Sequence, residues 1–185
     1  MGPAMIYVAL LRGINVGGKA KVPMAALRDV CAAAGCEDVE TYIQSGNVVL
    51  SSKLGEKKLQ VALEAGIAAE FGFSPAVMLR TAGEMAAVVD HNAYPGADEQ
   101  SLHAGFLHLP PSAAAAGCLA AIGAAPEQVT VVGRELHLLL PNGMGRANLP
   151  TLIERCIRPA PVTVRNWRTV TRLVELSTLR PGPHT

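Results

Sequence analysis

Aromatic residues are scarce in this chain, with one tryptophan, three tyrosines and three phenylalanines among 185 residues. Its core must therefore be filled by Leu, Val, Ile, Met and Ala. Half of the residues are apolar, and a chain of this length buries roughly 70% of its unfolded surface without disulfide or metal staples. The scarcity also removes the aromatic and basic interleaving with which sheet-type RNA binders stack bases. Tyr7 and Tyr42 are isolated, and no K/R-G-F-G-F-V-like strand exists.

A C-x-x-C pair is missing as well. Cys31, Cys36, Cys118 and Cys156 fall in apolar or helical settings, which reads as small buried thiols in a reducing cytoplasm rather than a metal knuckle or redox pair. Long apolar runs are also lacking. The first, from Met5 to Leu11, has no basic residue before it and stops at Arg12, too short for a secretory signal or a membrane span. The sequence thus reads as cytoplasmic, without membrane association.

His91, His103, His108, His137 and His184 show no metal-ligand helical spacing, so no metal is expected, and His103 and His137 read as structural imidazoles in strands. No G-x-S-x-G elbow occurs, and Ser45 before Gly46 is a turn residue. Catalytic residues, cofactor, any enzymatic activity and the oligomeric state all stay open.

Positive charge is absent from residues 84–133, which carry five acidic side chains, although the whole chain has a net charge of +1. Residues 134–185 carry eight basic and three acidic side chains, and all eight cations are arginines, the side chain suited to bidentate contact with carboxylate or phosphate. The basic end either faces the acidic middle within the fold or meets an external anion.

Apolar periodicity and turn residues give the order βαββαβ followed by α, twice. In the first half, strands are expected at Ile6–Leu11, 39–44, 47–51 and 76–80, with helices from Pro23, over 56–70 and over 84–90. After Tyr94-Pro95-Gly96, a strand over 103–109 precedes a helix opened by Pro111. A hairpin over 128–132 and 135–140, a helix capped by Asn148, a strand over 161–164 and a final helix capped by Asn166 complete the second half. The fold class is α+β, a tandem of two ferredoxin-like subdomains over 1–91 and 102–185, joined by a linker over 92–101. A weak internal match lays Leu79-Arg80 on Val164-Arg165.

The segments LLRGINVGGKAKV from Leu10, TYIQSGNVV from Thr41, PNGMGR from Pro141 and RNWRTV from Arg165 together resemble a bacterial family, domain of unknown function 1697. The resemblance runs from about Ile6 to Leu179 and implies a pair of ferredoxin-like subdomains. It implies no activity and no catalytic residues. Ala20, where a polar residue is expected after GGK, and Leu50, where phenylalanine is common, depart from the family pattern.

Gly13 to Ala20, GINVGGKA, nearly satisfies the phosphate-loop pattern, but Ala20 removes the hydroxyl that holds Mg²⁺ and Pro23 delays the helix. Its glycines serve tight turns, or its backbone N–H groups and Lys19 or Lys21 hold some other anion. In the last helix, Trp167, Val170 and Val174 are expected to face the core, while Arg165, Arg168 and Arg172 share one stripe. Cations at a helix N-terminus oppose its dipole and call for a counter-charge, either a carboxylate of the chain or a bound anion.

One functional reading is a small anionic ligand, phosphate- or carboxylate-bearing, held in a basic cleft between the subdomains. Its candidate residues are Arg12, Asn15, Gly17, Gly18, Lys19, Asn142, Arg146, Arg165 and Arg168. Two alternatives are a nucleic-acid-binding module and a protein-interaction or structural role without ligand.

Overall fold

The computed structural model describes residues 3–123 and 125–180; His184 lies outside them. The chain is α+β, with two four-stranded antiparallel sheets and helices packed on each. Two compact units result, one formed by the described residues up to Ala86 together with those from Leu173, the other by Ala87–Arg172.

In the first unit, β1 (Met5–Leu11), α1 (Met24–Ala33), β2 (Glu37–Tyr42), β3 (Asn47–Ser52), α2 (Glu56–Phe71), β4 (Val77–Thr81) and the start of α3 (Ala82–Asp90) follow in order. The sheet order is β2-β3-β1-β4, the antiparallel arrangement of a split β-α-β plan. Alternation along β1 sends Tyr7, Ala9 and Leu11 to one face, where they join Val48, Leu50, Val77 and Leu79 under Leu27, Leu59, Leu63 and Ile67 of the helices. Gly66 of α2 permits close approach of the helices, because a Cβ there would stand 2.9 Å from Val30 Cγ1.

Helix α3 starts two residues earlier than the apolar pattern indicates because Thr81 and Glu84 form a capping box. Glu84 Oε2 accepts from Thr81 N–H at 2.8 Å, and Thr81 Oγ1 accepts from Glu84 N–H at 3.2 Å. Edge strand β2 carries Glu37, Asp38 and Glu40 and a register shift between Glu37 and Glu40, features that blunt an open sheet edge. Arg180 donates to the Asp38 carbonyl and pairs with Glu40 at 3.2 Å.

The second unit repeats the plan with β5 (Leu102–Phe106), α4 (Ala113–Ile122), β6 (Gln128–Val132), β7 (Glu135–Leu139), α5 (Leu149–Ile157), β8 (Thr163–Asn166) and the start of α6 (Trp167–Thr178). Its sheet order is β6-β7-β5-β8. Leu136, Leu138 and Leu140 pack with Leu119, Leu149, Ile153 and Ile157. Ser112, rather than Pro111, opens α4, its Oγ accepting from Ala115 N–H at 3.2 Å. Asn148 stands at the N-cap of α5 without a side-chain cap bond. The Glu127 carboxylate does that work, accepting from Asn148 and Leu149 N–H at 3.3 and 2.9 Å.

The cysteine expectation holds for one pair and fails for the other. Cys31 and Cys36 are buried thiols, pushed up by burial to about 12 and about 11. Cys118 and Cys156 instead form a disulfide between α4 and α5, with Cα atoms 5.5 Å apart, within ordinary disulfide reach. Their sequence separation of 38 gives no local signal, because the pairing depends on how the two helices dock. Cys118 is exposed and Cys156 half-buried.

The weak internal repeat has a structural counterpart. Arg80 in β4 lies opposite Val8, and Arg165 in β8 lies opposite Ala104, the same place in each unit. Both are buried, and each donates to the carbonyl of the residue before it, Leu79 at 2.7 Å and Val164 at 3.1 Å.

Candidate functional site

A cleft of about 390 Å³ opens in the second unit, lined by Glu99, Gln100, His103, Gly143, Met144, Asn166 and Arg168. Its size falls at the small end of ligand pockets. One wall comes from a 3₁₀ turn, Glu99–Ser101, which Asp98 caps by accepting from Gln100 N–H at 3.1 Å. The Ser101 carbonyl accepts from Leu140 N–H at 2.7 Å, tying this turn to the end of β7. Gly143, with φ of +76°, then reverses the chain into a second 3₁₀ turn, Met144–Arg146. The reversal needs the left-handed backbone that glycine adopts without a Cβ clash.

The other wall is the junction of β8 and α6, which meet without a loop. Asn166 ends the strand and caps the helix, its Oδ1 accepting from Thr169 N–H at 2.8 Å. Because Asn166 is spent on the strand register, Arg165 also belongs to β8, and the expected Arg165–Arg168–Arg172 stripe is reduced to its last two members on α6. Trp167 and Val170 are buried as expected, with Leu173 beside them in the periodic pattern, and Val174 is half-buried.

The two arginines of the junction differ. Arg165 donates to Thr163 Oγ1 at 2.7 Å and to the Val164 carbonyl, and burial draws its guanidinium down to about 10. Arg168 is exposed on the first turn of α6, and its guanidinium has neither a hydrogen bond nor an ion pair among the described residues.

His103, 7% exposed, turns Nδ1 toward the Ser101 carbonyl at 3.4 Å, and burial lowers its pKa against the opposing effect of that carbonyl. A neutral ring with its proton on Nδ1 leaves Nε2 as an acceptor. The cleft thus combines a guanidinium, two primary amides, a neutral imidazole and the Glu99 carboxylate.

His137 lies on β7, the strand paired with β5, and has a structural setting. It is 1% exposed, its Nδ1 accepts from Ala93 N–H at 3.2 Å, and its ring lies tilted against Trp167 at 5.9 Å. That acceptor role places the proton on Nε2, which has no hydrogen-bond partner among the described residues. Burial, then the charge of His91, lowers its pKa.

In the first unit, the glycine loop is a folded turn with Gly13, Gly17 and Gly18 at φ of +69°, +60° and +74°. Asn15 is its clamp. The amide nitrogen donates to the Val22 and Gln44 carbonyls at 3.0 and 2.8 Å, while Oδ1 accepts from Val22 N–H at 2.8 Å. The loop follows a strand whose neighbours are both antiparallel and reaches α1 only after Pro23, unlike a nucleotide loop that enters its helix at the lysine. Lys21, Gly18, Asn15 and Gln44 line an open depression of about 340 Å³. Arg12, Gly17 and Lys19 are exposed beside it in sequence.

Asn142 and Arg146 flank the Gly143 turn and are exposed, but they do not line the 390 Å³ cleft. The sequence does not mark Glu99, Gln100, His103 or Asn166 as ligand-binding residues, although it gives His103 as a strand imidazole and Asn166 as a helix cap. The first two fall in the segment 92–101 read as a linker, which is pinned to its unit by Tyr94 Oη to Thr130 Oγ1 at 2.9 Å and Ala93 N–H to His137. Asn166 had a usable signal, as a cap residue two positions before an arginine.

Among the described residues, no three His, Cys, Asp or Glu side chains gather as a metal site, and no helix is long and apolar enough to cross a membrane. Conserved bacterial protein SP0830 from Streptococcus pneumoniae has a similar fold, with a TM-score of 0.72, 24% identity, and coverage of 94% of this chain and 99% of that one. The comparison with curated proteins finds no match. The family model described as protein of unknown function (DUF1697) matches residues 5–137, and the chain therefore belongs to that family.

Proposed function

We propose that this cytoplasmic protein binds a small anionic ligand, phosphate- or carboxylate-bearing, through Arg168 at the cleft of the second unit. The observation that carries the reading is the contrast between the two junction arginines. Arg165 is engaged by oxygens of its own unit, whereas the Arg168 guanidinium, at a helix start, makes no ion pair or hydrogen bond among the described residues. A cation there loses about 0.3–1 kcal/mol to the helix dipole. An anion removes that penalty and accepts from the guanidinium bidentately. The primary amides of Asn166 and Gln100 supply further donors, and Met144 with Gly143 supplies an apolar and a backbone wall.

Glu99 restricts the ligand. A carboxylate in the same cleft repels a polyanion and favours a molecule with one anionic end and a donor or cationic group elsewhere. Arg165, through its bonds to Thr163 and Val164, fixes the end of the strand that carries Asn166. Arg146 and Asn142 border the turn, and Gly17, Gly18 and Lys19 with Arg12 and Asn15 mark the glycine loop as a second place where an anion could be held.

A thermal-shift screen of phosphorylated and carboxylated metabolites, run on wild type, Arg168→Ala and Lys19→Ala, tests the reading. A ligand at 100 times its Kd stabilises the native state by about 2.7 kcal/mol. Stabilisation of wild type that disappears in Arg168→Ala is the expected result. Equal stabilisation of wild type and Arg168→Ala contradicts it, and loss confined to Lys19→Ala moves the site to the glycine loop.

A further inference from the structure

The disulfide of the second unit joins two helices that differ in how well they are otherwise held. Helix α4 has ten residues, AAAAGCLAAI, of which Leu119 is buried, and Ile122 is partly buried against the same core. Its counterpart in the first unit, α1, is equally long but buries Leu27, Val30 and Cys31 and is not cross-linked. Isolated helices shorter than about 12–15 residues are marginal in water and depend on tertiary anchoring. Alanine-rich α4, with Gly117 at its middle, draws little anchoring from its apolar face. The covalent bond to Cys156 replaces side chains that α1 possesses and α4 lacks.

The bond is also reachable. Cys118 is exposed, and Cys156 lines a cleft of about 490 Å³ together with Pro110, Ala115 and Arg158. Exposed disulfides are open to attack by an external thiolate, whose access and leaving-group stability set the rate. Arg158 lines the same cleft as Cys156, and a cation near a departing thiolate stabilises it.

We propose that Cys118–Cys156 is a thiol-exchange site, at which a low-molecular-weight thiol opens the bond at the Cys118 sulfur and releases α4 from α5. In the first step, an external thiolate attacks Cys118 Sγ. The Cys118–Cys156 S–S bond breaks, a mixed disulfide forms on Cys118, and Cys156 leaves as a thiolate. A second external thiolate then attacks the external sulfur of the mixed disulfide, freeing Cys118 as a thiolate. The two external thiols are oxidised to one disulfide, their two electrons reduce the protein disulfide, and their two protons end on the protein thiolates or in solvent. Cys31 and Cys36, buried in the other unit, take no part.

The experiment treats the full chain, without denaturant, with graded reduced glutathione or dithiothreitol. Free thiols are trapped with a mass-tagged maleimide and located by peptide mass spectrometry, and hydrogen exchange is followed in parallel over 113–122. The expected result is alkylation confined to Cys118 and Cys156, a transient glutathione adduct on Cys118, and exchange in α4 faster by about tenfold or more, a difference of about 1.4 kcal/mol in opening. The double variant Cys118→Ser/Cys156→Ser should exchange in α4 like reduced wild type and ignore added thiol. The wild-type measurement stands even where the variant does not fold.

Four free thiols after purification without reductant would overturn the proposal. So would a disulfide that survives until denaturant unfolds the chain, an adduct on Cys156 instead of Cys118, or equal α4 exchange in the oxidised and reduced protein.

Discussion

Asn15 shows how a residue chosen for ligand chemistry serves the loop that contains it. Its side chain satisfies the backbone N–H and carbonyl of buried Val22 while the residue itself sits at φ of +54°, a conformation asparagine tolerates better than most L residues. Asn15→Ala should cost about 1–3 kcal/mol, measured by urea denaturation, because it leaves buried polar groups unpaired and adds left-handed strain. His103 and His137 belong to the same scale. Burial lowers both pKa values, so near pH 6.5 and below the unfolded chain binds protons more readily than the native one. Their contribution is fully present above the unfolded value of about 6.5 and is lost as pH falls from there through the depressed native values. Thermal denaturation from pH 8 to pH 5 should show a Tm that falls below about pH 6.5. Replacing His137 by Gln should flatten its share of that fall, whereas an unchanged profile would remove the buried neutral imidazole from the account.

Elements were legible wherever local chemistry decides them. The glycine stop after α1, the hairpin around Gly133 and the apolar spacing of α2 all carry their own signal. Gly46 is one such position, since its φ is +80° and a Cβ would stand 2.8 Å from Leu11 and Ile14 side-chain atoms. What escaped reading depends on partners distant in sequence. Glu127 caps α5 from 21 residues away, so the motif around Asn148 points to the wrong cap residue. The register of β8 against β5 takes Arg165 and Asn166 into the strand, which a helical count starting at Arg165 cannot reveal. Glu127→Ala should lower stability by about 0.5–2 kcal/mol, the usual range for a lost N-terminal cap, whereas Asn148→Ala should cost less. Paired thermal melts of the two variants distinguish the caps.

At the scale of the whole chain, duplication explains more of the sequence than any site does. The same strand order occurs twice, and the match of Leu79-Arg80 with Val164-Arg165 marks a buried arginine built into corresponding strands. One consequence is that an arginine in the C-terminal motif is not in itself a sign of ligand chemistry. The hexapeptide from Arg165 to Val170 divides into a strand-bound guanidinium, a capping amide, a core indole and an exposed cation. The candidate cleft was only partly legible, because Glu99 and Gln100, like Gly143 and Met144, come from segments without periodicity. Such a segment has no regular face by which sequence could show where its side chains point.

Arginine side-chain NMR distinguishes the fates of those two arginines. Nε–Hε resonances of Arg165 and Arg168 are followed while a stabilising phosphate- or carboxylate-bearing metabolite from the thermal-shift screen is titrated in. The account predicts a saturable shift of the Arg168 resonance and of the Asn166 amide, with Arg165 nearly stationary in its bonds to Thr163 and Val164. A stationary Arg168 at saturation, with the shifts falling elsewhere in the chain, would contradict it.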